Sequence, residues 1–131
     1  MTLIDTSAWV EFFRRQGNPD VKQRVAACIE LGEAAVCGPI RFELLAGARG
    51  REDALIDEAF GFCTDLDFTT TCWKRAAVLE RTLRARGITM PRDDIFVAAS
   101  ALEHGALLLT CDAHFERIRD GASAKLRLVG P

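Results

Sequence analysis

Leu3-Ile4-Asp5-Thr6-Ser7-Ala8 is the stretch on which the fold turns. A short apolar run ends on an acid, a Thr-Ser pair follows, and helical spacing begins at Ala8. That order places a carboxylate at the carboxyl end of a strand, where open α/β sheets hold their ligands. Three more acids, Glu43, Asp94 and Asp112, stand at comparable punctuation points further along.

Working outward, residues 2–5 read as a first strand, with Ser7 as N-cap of the helix behind it. In that helix Trp9, Phe12 and Phe13 recur at helical spacing and form one aromatic face, expected to pack into the core. Gly17-Asn18-Pro19-Asp20 interrupts the pattern, and a second helix runs over 21–31 with Val21, Val25, Cys28 and Ile29 inward. Ala34-Ala35-Val36-Cys37 is short and wholly apolar, the mark of a strand buried on both faces. Gly38-Pro39 ends it and opens a helix with Pro in the first turn. Glu43 lies about one turn in, and Gly47 and Gly50 close that helix.

The second half repeats the alternation. A helix is expected over 52–62, a weak strand over 66–68, and a long helix over 72–85 capped from Thr69–Thr71. The inward stripe of the long helix is Cys72, Ala76, Leu79 and Leu83; Lys74, Arg81 and Arg84 fall on its opposite, solvated face. Pro91-Arg92-Asp93-Asp94 starts a helix that packs through Ile95, Ala98, Ala99 and Leu102 and stops at Gly105. Strands over 106–109 and 126–129 flank a short helix carrying Phe115 and Ile118. Strands alternating with helices imply parallel pairing in a helix-covered sheet of about five strands, one α/β domain over residues 1–131.

Composition narrows the function classes. The 131 residues contain no repeat or low-complexity tract, and no apolar run approaches the ~20 residues of a membrane span. Residues 1–5 are too short for a secretory apolar core, so cytoplasm is the expected compartment. Five cysteines, Cys28, Cys37, Cys63, Cys72 and Cys111, are odd in number and form no C-x-x-C pair, which favours buried reduced thiols. The net charge is −2, from 17 Lys and Arg against 19 Asp and Glu. Setting the four punctuating acids aside leaves 15 acids against those 17 bases, a balance that permits a nucleic-acid partner.

Taken one at a time, Asp5, Asp94 and Asp112 are well explained as helix caps. Glu43 is not, because a carboxylate one turn inside a helix caps nothing. Jointly they say more. Asp5 and Asp112 each end an apolar strand, and in a parallel sheet such ends share one edge. Glu43 and Asp94 stand in the first turns of helices entered from that edge. Carboxylates crowded together repel, and protons or cations must relieve that. Oxygen donors without accompanying Cys or His suit a hard ion such as Mg²⁺ or Mn²⁺, whose typical chemistry is phosphodiester hydrolysis. Two other readings share the fold class: a receiver-type phosphoacceptor domain with Asp5 modified, and a non-catalytic protein-binding module. The first would want a second acid two residues after Asp5, where Ser7 stands.

Asp5-Thr6-Ser7-Ala8-Trp9-Val10-Glu11-Phe12-Phe13 resembles the opening of the PIN-domain ribonucleases. Pro39-Ile40-Arg41-Phe42-Glu43-Leu44-Leu45-Ala46-Gly47, Asp94-Ile95-Phe96-Val97-Ala98-Ala99 and Thr110-Cys111-Asp112-Ala113-His114-Phe115 are similar to that family's later motifs, in order and spacing. Within it the nearest likeness is to the VapC toxins of toxin–antitoxin pairs. The resemblance implies a three-layer α/β/α domain and a Mg²⁺- or Mn²⁺-dependent endoribonuclease that blocks translation and growth until inhibited. It implies Asp5, Glu43, Asp94 and Asp112 as the catalytic and metal-holding acids, supported by the hydroxyls of Thr6, Ser7 and Thr110. Arg41 and Arg92, beside two of the acids, are the expected RNA-backbone contacts. His114 stands where many relatives have another Asp, and is expected to pack or face solvent without a metal role. The implied partners are RNA, a small VapB-like antitoxin docking on the Trp9-Phe12-Phe13 stripe or the 55–60 region, and a second copy of the chain.

Overall fold

Residues 1–130 are described by a computed structural model of the protein. The elements are β1 (Thr2–Ile4), α1 (Thr6–Phe13), α2 (Pro19–Glu30), β2 (Ala34–Cys37), α3 (Gly38–Gly47), α4 (Glu52–Phe60), β3 (Thr64–Leu66), α5 (Thr70–Ala85), α6 (Arg92–His104), β4 (Leu107–Leu109), α7 (His114–Gly121) and β5 (Leu128–Val129). The strands form one parallel sheet in the order β3-β2-β1-β4-β5. Helices cover it on both sides, the three-layer α/β/α arrangement expected from the alternation.

The chain fills the sheet outward from β1 to β2 and β3, then returns to lay β4 on the other side of β1. Thr2, Leu3 and Ile4 pair with Leu107, Leu108 and Leu109. Strand order therefore reverses between β1 and β4, and the crevice beyond their carboxyl ends is the place such sheets reserve for ligands. β1 and β2 are buried at every position, as continuous apolar runs require.

Local chemistry explains most boundaries. Asn18 Oδ1 accepts from the backbone N–H groups of Asp20 and Val21 at 2.9 and 3.2 Å, with Pro19 just inside α2. Thr69 Oγ1 accepts from Cys72 N at 3.3 Å to start α5, whose buried residues are Cys72, Ala76, Leu79 and Leu83. Gly105 ends α6 at φ 63°, a left-handed turn that costs glycine nothing.

Several helix ends shift by one or two residues from expectation, and three further differences have a local cause. The cap of α1 is Asp5 rather than Ser7, because the Asp5 carboxylate reaches Ser7 N while the Ser7 hydroxyl is engaged elsewhere. β3 lies two residues earlier than the apolar run 66–68. Leu66 pairs with Cys37, and Phe68 leaves the sheet to meet Trp73 and Phe96 edge-on at 4.7 and 5.9 Å between ring centroids. β5 shrinks to two residues as Leu126 turns into the core.

Of the aromatic face of α1, Trp9 is core as expected, while Phe12 and Phe13 are half-buried against it. Trp9 is fully buried, stacked on Phe13 at 5.6 Å and edge-on to Phe60 at 5.4 Å. Aromatic pairs of this kind contribute ~1 kcal/mol each beyond the area they bury. Four of the five free thiols are buried or half-buried, and Cys111 departs from the expectation by being exposed. No helix among the described residues is long and apolar enough to cross a membrane.

Candidate active site

The reversal between β1 and β4 sets Asp5 and the segment Thr110–Asp112 side by side. Asp5 N donates to Leu109 O at 2.9 Å, extending the ladder by one residue and fixing the carboxylate at the sheet's edge. Asp5 Oδ2 then accepts from three donors: Ser7 N at 3.3 Å, Ser7 Oγ at 2.7 Å and Thr110 Oγ1 at 3.1 Å. Each hydroxyl also accepts from β4's exit, Ser7 Oγ from Cys111 N and Thr110 Oγ1 from Asp112 N, both at 3.0 Å. Capping and site formation are thus compatible, since Oδ2 does the capping and Oδ1 has no hydrogen-bond partner among the described residues.

Asp112 works the same way. Its Oδ1 accepts from His114 N at 2.9 Å and steadies the entry to α7. Asp94 comes from the first turn of α6, and its Oδ2 lies 2.7 Å from His114 Nδ1. Glu43, on α3, completes the set: Asp5, Glu43, Asp94 and Asp112 all line one cavity of about 360 Å³, together with Thr6, Ser7, Val10, Glu11 and Cys111.

The electrostatics are those of a crowded acidic site. Burial raises the pKa of Asp5 above the usual carboxylate range, against the lowering effect of its Ser7 and Thr110 hydrogen bonds. Glu43 is raised by burial first and then by Asp93, Asp5 and Asp94. Asp94 is raised by burial and by Asp112 and Asp5, with His114 opposing. His114 is raised, chiefly by its hydrogen bond to Asp94. All three carboxyl shifts run toward the proton-bound form, and a cation held among these acids would relieve the same crowding. The donor atoms close enough to share one ion, all within 4.8 Å of one another, come from Asp94, Asp112 and His114, while Asp5 and Glu43 line the same cavity without joining that group.

The structure corrects several expectations. His114 neither packs into the core nor merely faces solvent, for Nδ1 is 2.7 Å from Asp94 and 3.3 Å from Asp112. Arg41 and Arg92 line no part of the acidic cavity. Arg41 pairs with Asp65 at 3.3 Å and lies over the Phe60 ring, while Arg92 pairs with Glu80 at 3.0 Å. Their neighbours in sequence point one way on the helix and they point another. Thr6 lines the cavity, with its Oγ1 buried and unpartnered. Trp9, being buried, offers no docking surface, and of the 55–60 region Leu55 is exposed while Ile56 and Phe60 are buried. Sequence reasoning gave Asp93 no part beyond helix capping, although it adjoins Asp94 and its charge helps to raise the Glu43 pKa.

Beside the acids, and sharing Thr6, Val10 and Glu43 with them, is a larger apolar cavity of about 480 Å³. Val10, Phe13, Leu44, Leu55 and Ile56 form its walls.

Comparison with known proteins shows the family and the fold. A family model described as PIN domain matches residues 2–121. The chain is 34% identical to Ribonuclease VapC11 of Mycobacterium tuberculosis, over 90% of this chain and 91% of that protein. It is 31% identical to Ribonuclease VapC21 of the same species, over 76% and 75%. The fold is similar to that in DNA-bound VapBC from Salmonella typhimurium, with a TM-score of 0.81 and 18% identity over 98% of this chain and 96% of that one. VapBC2 from Rickettsia felis, bound to a promoter DNA fragment, gives 0.79 and 17% over 99% and 98%.

Proposed function

Because the chain belongs to the PIN-domain family, we propose that it is a metal-dependent endoribonuclease and the toxin of a cytoplasmic toxin–antitoxin pair. The observation that carries this reading is the meeting of four carboxylates, from four separate segments, on one cavity at the carboxyl edge of the sheet. A protein-binding module has no need to gather four acids on one cavity, and a receiver domain has no need of Glu43.

Asp5, Asp94 and Asp112 are the residues that would hold Mg²⁺ or Mn²⁺. A divalent ion held there supplies Lewis-acid charge and a lowered pKa for the attacking water. Glu43 takes the proton: its pKa is raised by burial and by neighbouring acids, which brings a carboxylate closer to the range in which a general base is effective. Asp5 acts as a fixed acceptor, its Oδ2 pinned by Ser7 and Thr110 so that Oδ1 keeps one direction. Val10 and Cys111 close the cavity's rim.

The partner reading rests on the adjacent apolar cavity. An amphipathic segment of a small antitoxin, laid against Val10, Phe13, Leu44, Leu55 and Ile56, would reach Thr6 and Glu43 and so obstruct the acids. Exposed Phe42, Phe62 and Trp73 are apolar surface of the kind that pairing of two copies covers. The test is cleavage of total RNA by the purified chain with Mg²⁺, with Mn²⁺ and with chelator. Discrete fragments that disappear with chelator are the expected result; RNA left intact under every condition, with no metal bound, overturns the reading.

A further inference from the structure

His114 is the one nitrogen donor among the oxygens. It opens α7 with its side chain turned back over the site, 43% exposed, and Nδ1 faces Asp94 Oδ2 at 2.7 Å and Asp112 Oδ1 at 3.3 Å. One donor atom from each of Asp94, Asp112 and His114 falls within a sphere of mutual distances under 4.8 Å. Adjacent ligands of an octahedral ion with bonds of ~2.1 Å stand ~3 Å apart, the mean of those two separations. The same spacing suits a hydrogen bond, so distance alone does not distinguish a ligand from a positioning donor. Placement does. Among the described residues the donor atoms of Asp94, Asp112 and His114 converge within 4.8 Å, and Asp112 is held in turn by Thr110 and the first turn of α7, so an ion seated between the two carboxylates has the imidazole nitrogen within reach.

We propose that His114 Nδ1 is itself a metal ligand, making this a mixed nitrogen–oxygen site that favours Mn²⁺ over Mg²⁺ more than four carboxylates would. The inference rests on the metal-dependent reading above. Imidazole nitrogen is a poor ligand for Mg²⁺ and a progressively better one along the first-row divalent ions. Ligation uses the Nδ1 lone pair, so the ring keeps its proton on Nε2, on the solvent side of the site.

The chain has two histidines, which makes the test clean. His104 lies at the far end of α6, ~15 Å along the helix from Asp94, with Nε2 at 2.8 Å from Asp67 O. Full-length protein labelled with ¹⁵N-histidine and loaded with Mn²⁺ is examined by electron spin-echo modulation, beside His114→Ala, His114→Asp and His104→Asn. Modulation from a directly bonded imidazole nitrogen is expected in the wild type and in His104→Asn, and absent from both His114 variants. Calorimetric titration should show the Mn²⁺ over Mg²⁺ affinity ratio falling about tenfold in His114→Asp. Mn²⁺ bound without a coupled nitrogen, or a ratio unchanged in His114→Asp, overturns the proposal while leaving the nuclease reading intact. Failure of the wild type to bind Mn²⁺ at all overturns both.

Discussion

Thr110 Oγ1 donates to Asp5 Oδ2 at 3.1 Å across 105 residues of chain. The bond ties the exit of β4 to the exit of β1, and Ser7 Oγ makes a parallel tie 2.7 Å from the same oxygen. Two hydroxyls thus restrain one oxygen of a buried carboxylate and leave the other to the cavity.

Thr110→Val keeps the shape and removes the donor. The buried carboxylate loses one hydrogen bond, and the backbone N–H of Asp112 loses its acceptor. Unfolding by urea should show a loss of ~1–3 kcal/mol. RNA cleavage should fall ~10–100-fold, as it does when ligand-supporting groups are removed. A variant with unchanged activity would make the hydroxyl a structural tie only.

Asp94→Asn should abolish cleavage while the metal-free fold survives. The substitution is nearly isosteric and removes a charge that Asp112 and Asp5 both oppose. Melting temperature is expected to hold or rise. A collapse of melting temperature would mean that Asp94 is chiefly a structural partner of His114.

The raised carboxyls give the metal-free protein a definite pH response. A carboxyl whose folded pKa exceeds its unfolded value binds its proton more tightly when folded, so its contribution improves as pH falls through the folded pKa. Asp5, Glu43 and Asp94 all have that sign. His114, also raised, stabilises most when protonated and loses its contribution as pH rises through its folded pKa. Both effects point the same way. Chelated protein should melt higher near pH 5.5 than at pH 8, chiefly through His114, whose ordinary value of 6.5 lies in that window and is raised by Asp94; the difference should shrink in His114→Gln, and a flat profile would contradict the pairing.

Metal should replace protons as the remedy. An ion present at ~100 times its dissociation constant adds ~2.7 kcal/mol at neutral pH. For a domain of this size that is a rise of ~10 °C in a thermal scan with Mn²⁺. Asp5→Asn with Asp112→Asn should lose the rise.

Trp9 tests the core independently of the site. Trp9→Ala removes a fully buried ring with three aromatic neighbours, Phe12, Phe13 and Phe60, and should cost ~3–5 kcal/mol. Trp9→Phe should cost clearly less, because Trp9 Nε1 has no hydrogen-bond partner to lose. Equal costs for the two would point to a polar role for the indole N–H.

Most of the architecture was legible because its signals are short-range. Val21 and Val25, or Cys72, Ala76, Leu79 and Leu83, announce a buried helix face by spacing alone. The four acids were legible too, since the sheet's parallel order carries strand ends to one edge. What sequence did not carry was the direction of side chains on irregular turns. For His114, ligand chemistry alone argues against a metal role, since imidazole suits a hard cation poorly, and nothing in the sequence brings its ring to Asp94 and Asp112. Arg41 and Arg92 stand off the acidic cavity for a different reason: nearness in sequence to Glu43 and Asp94 says nothing of which helix face they occupy. Phe68 was read as strand because its apolar character fits one, yet two aromatic neighbours from α5 and α6 outbid the sheet.

The strand order has a consequence for how activity appears during folding. β1 is complete after four residues, but its second neighbour, β4, is more than a hundred residues away, and Asp5 faces Thr110 only once that loop has closed. Long-range closure of this kind is slow and comes as part of the cooperative whole. A partly folded chain can carry helices and a β1–β2 pair and still present its acids singly. The four acids share one cavity only when β4 lies beside β1, so a chain in which that pairing has not formed does not assemble them.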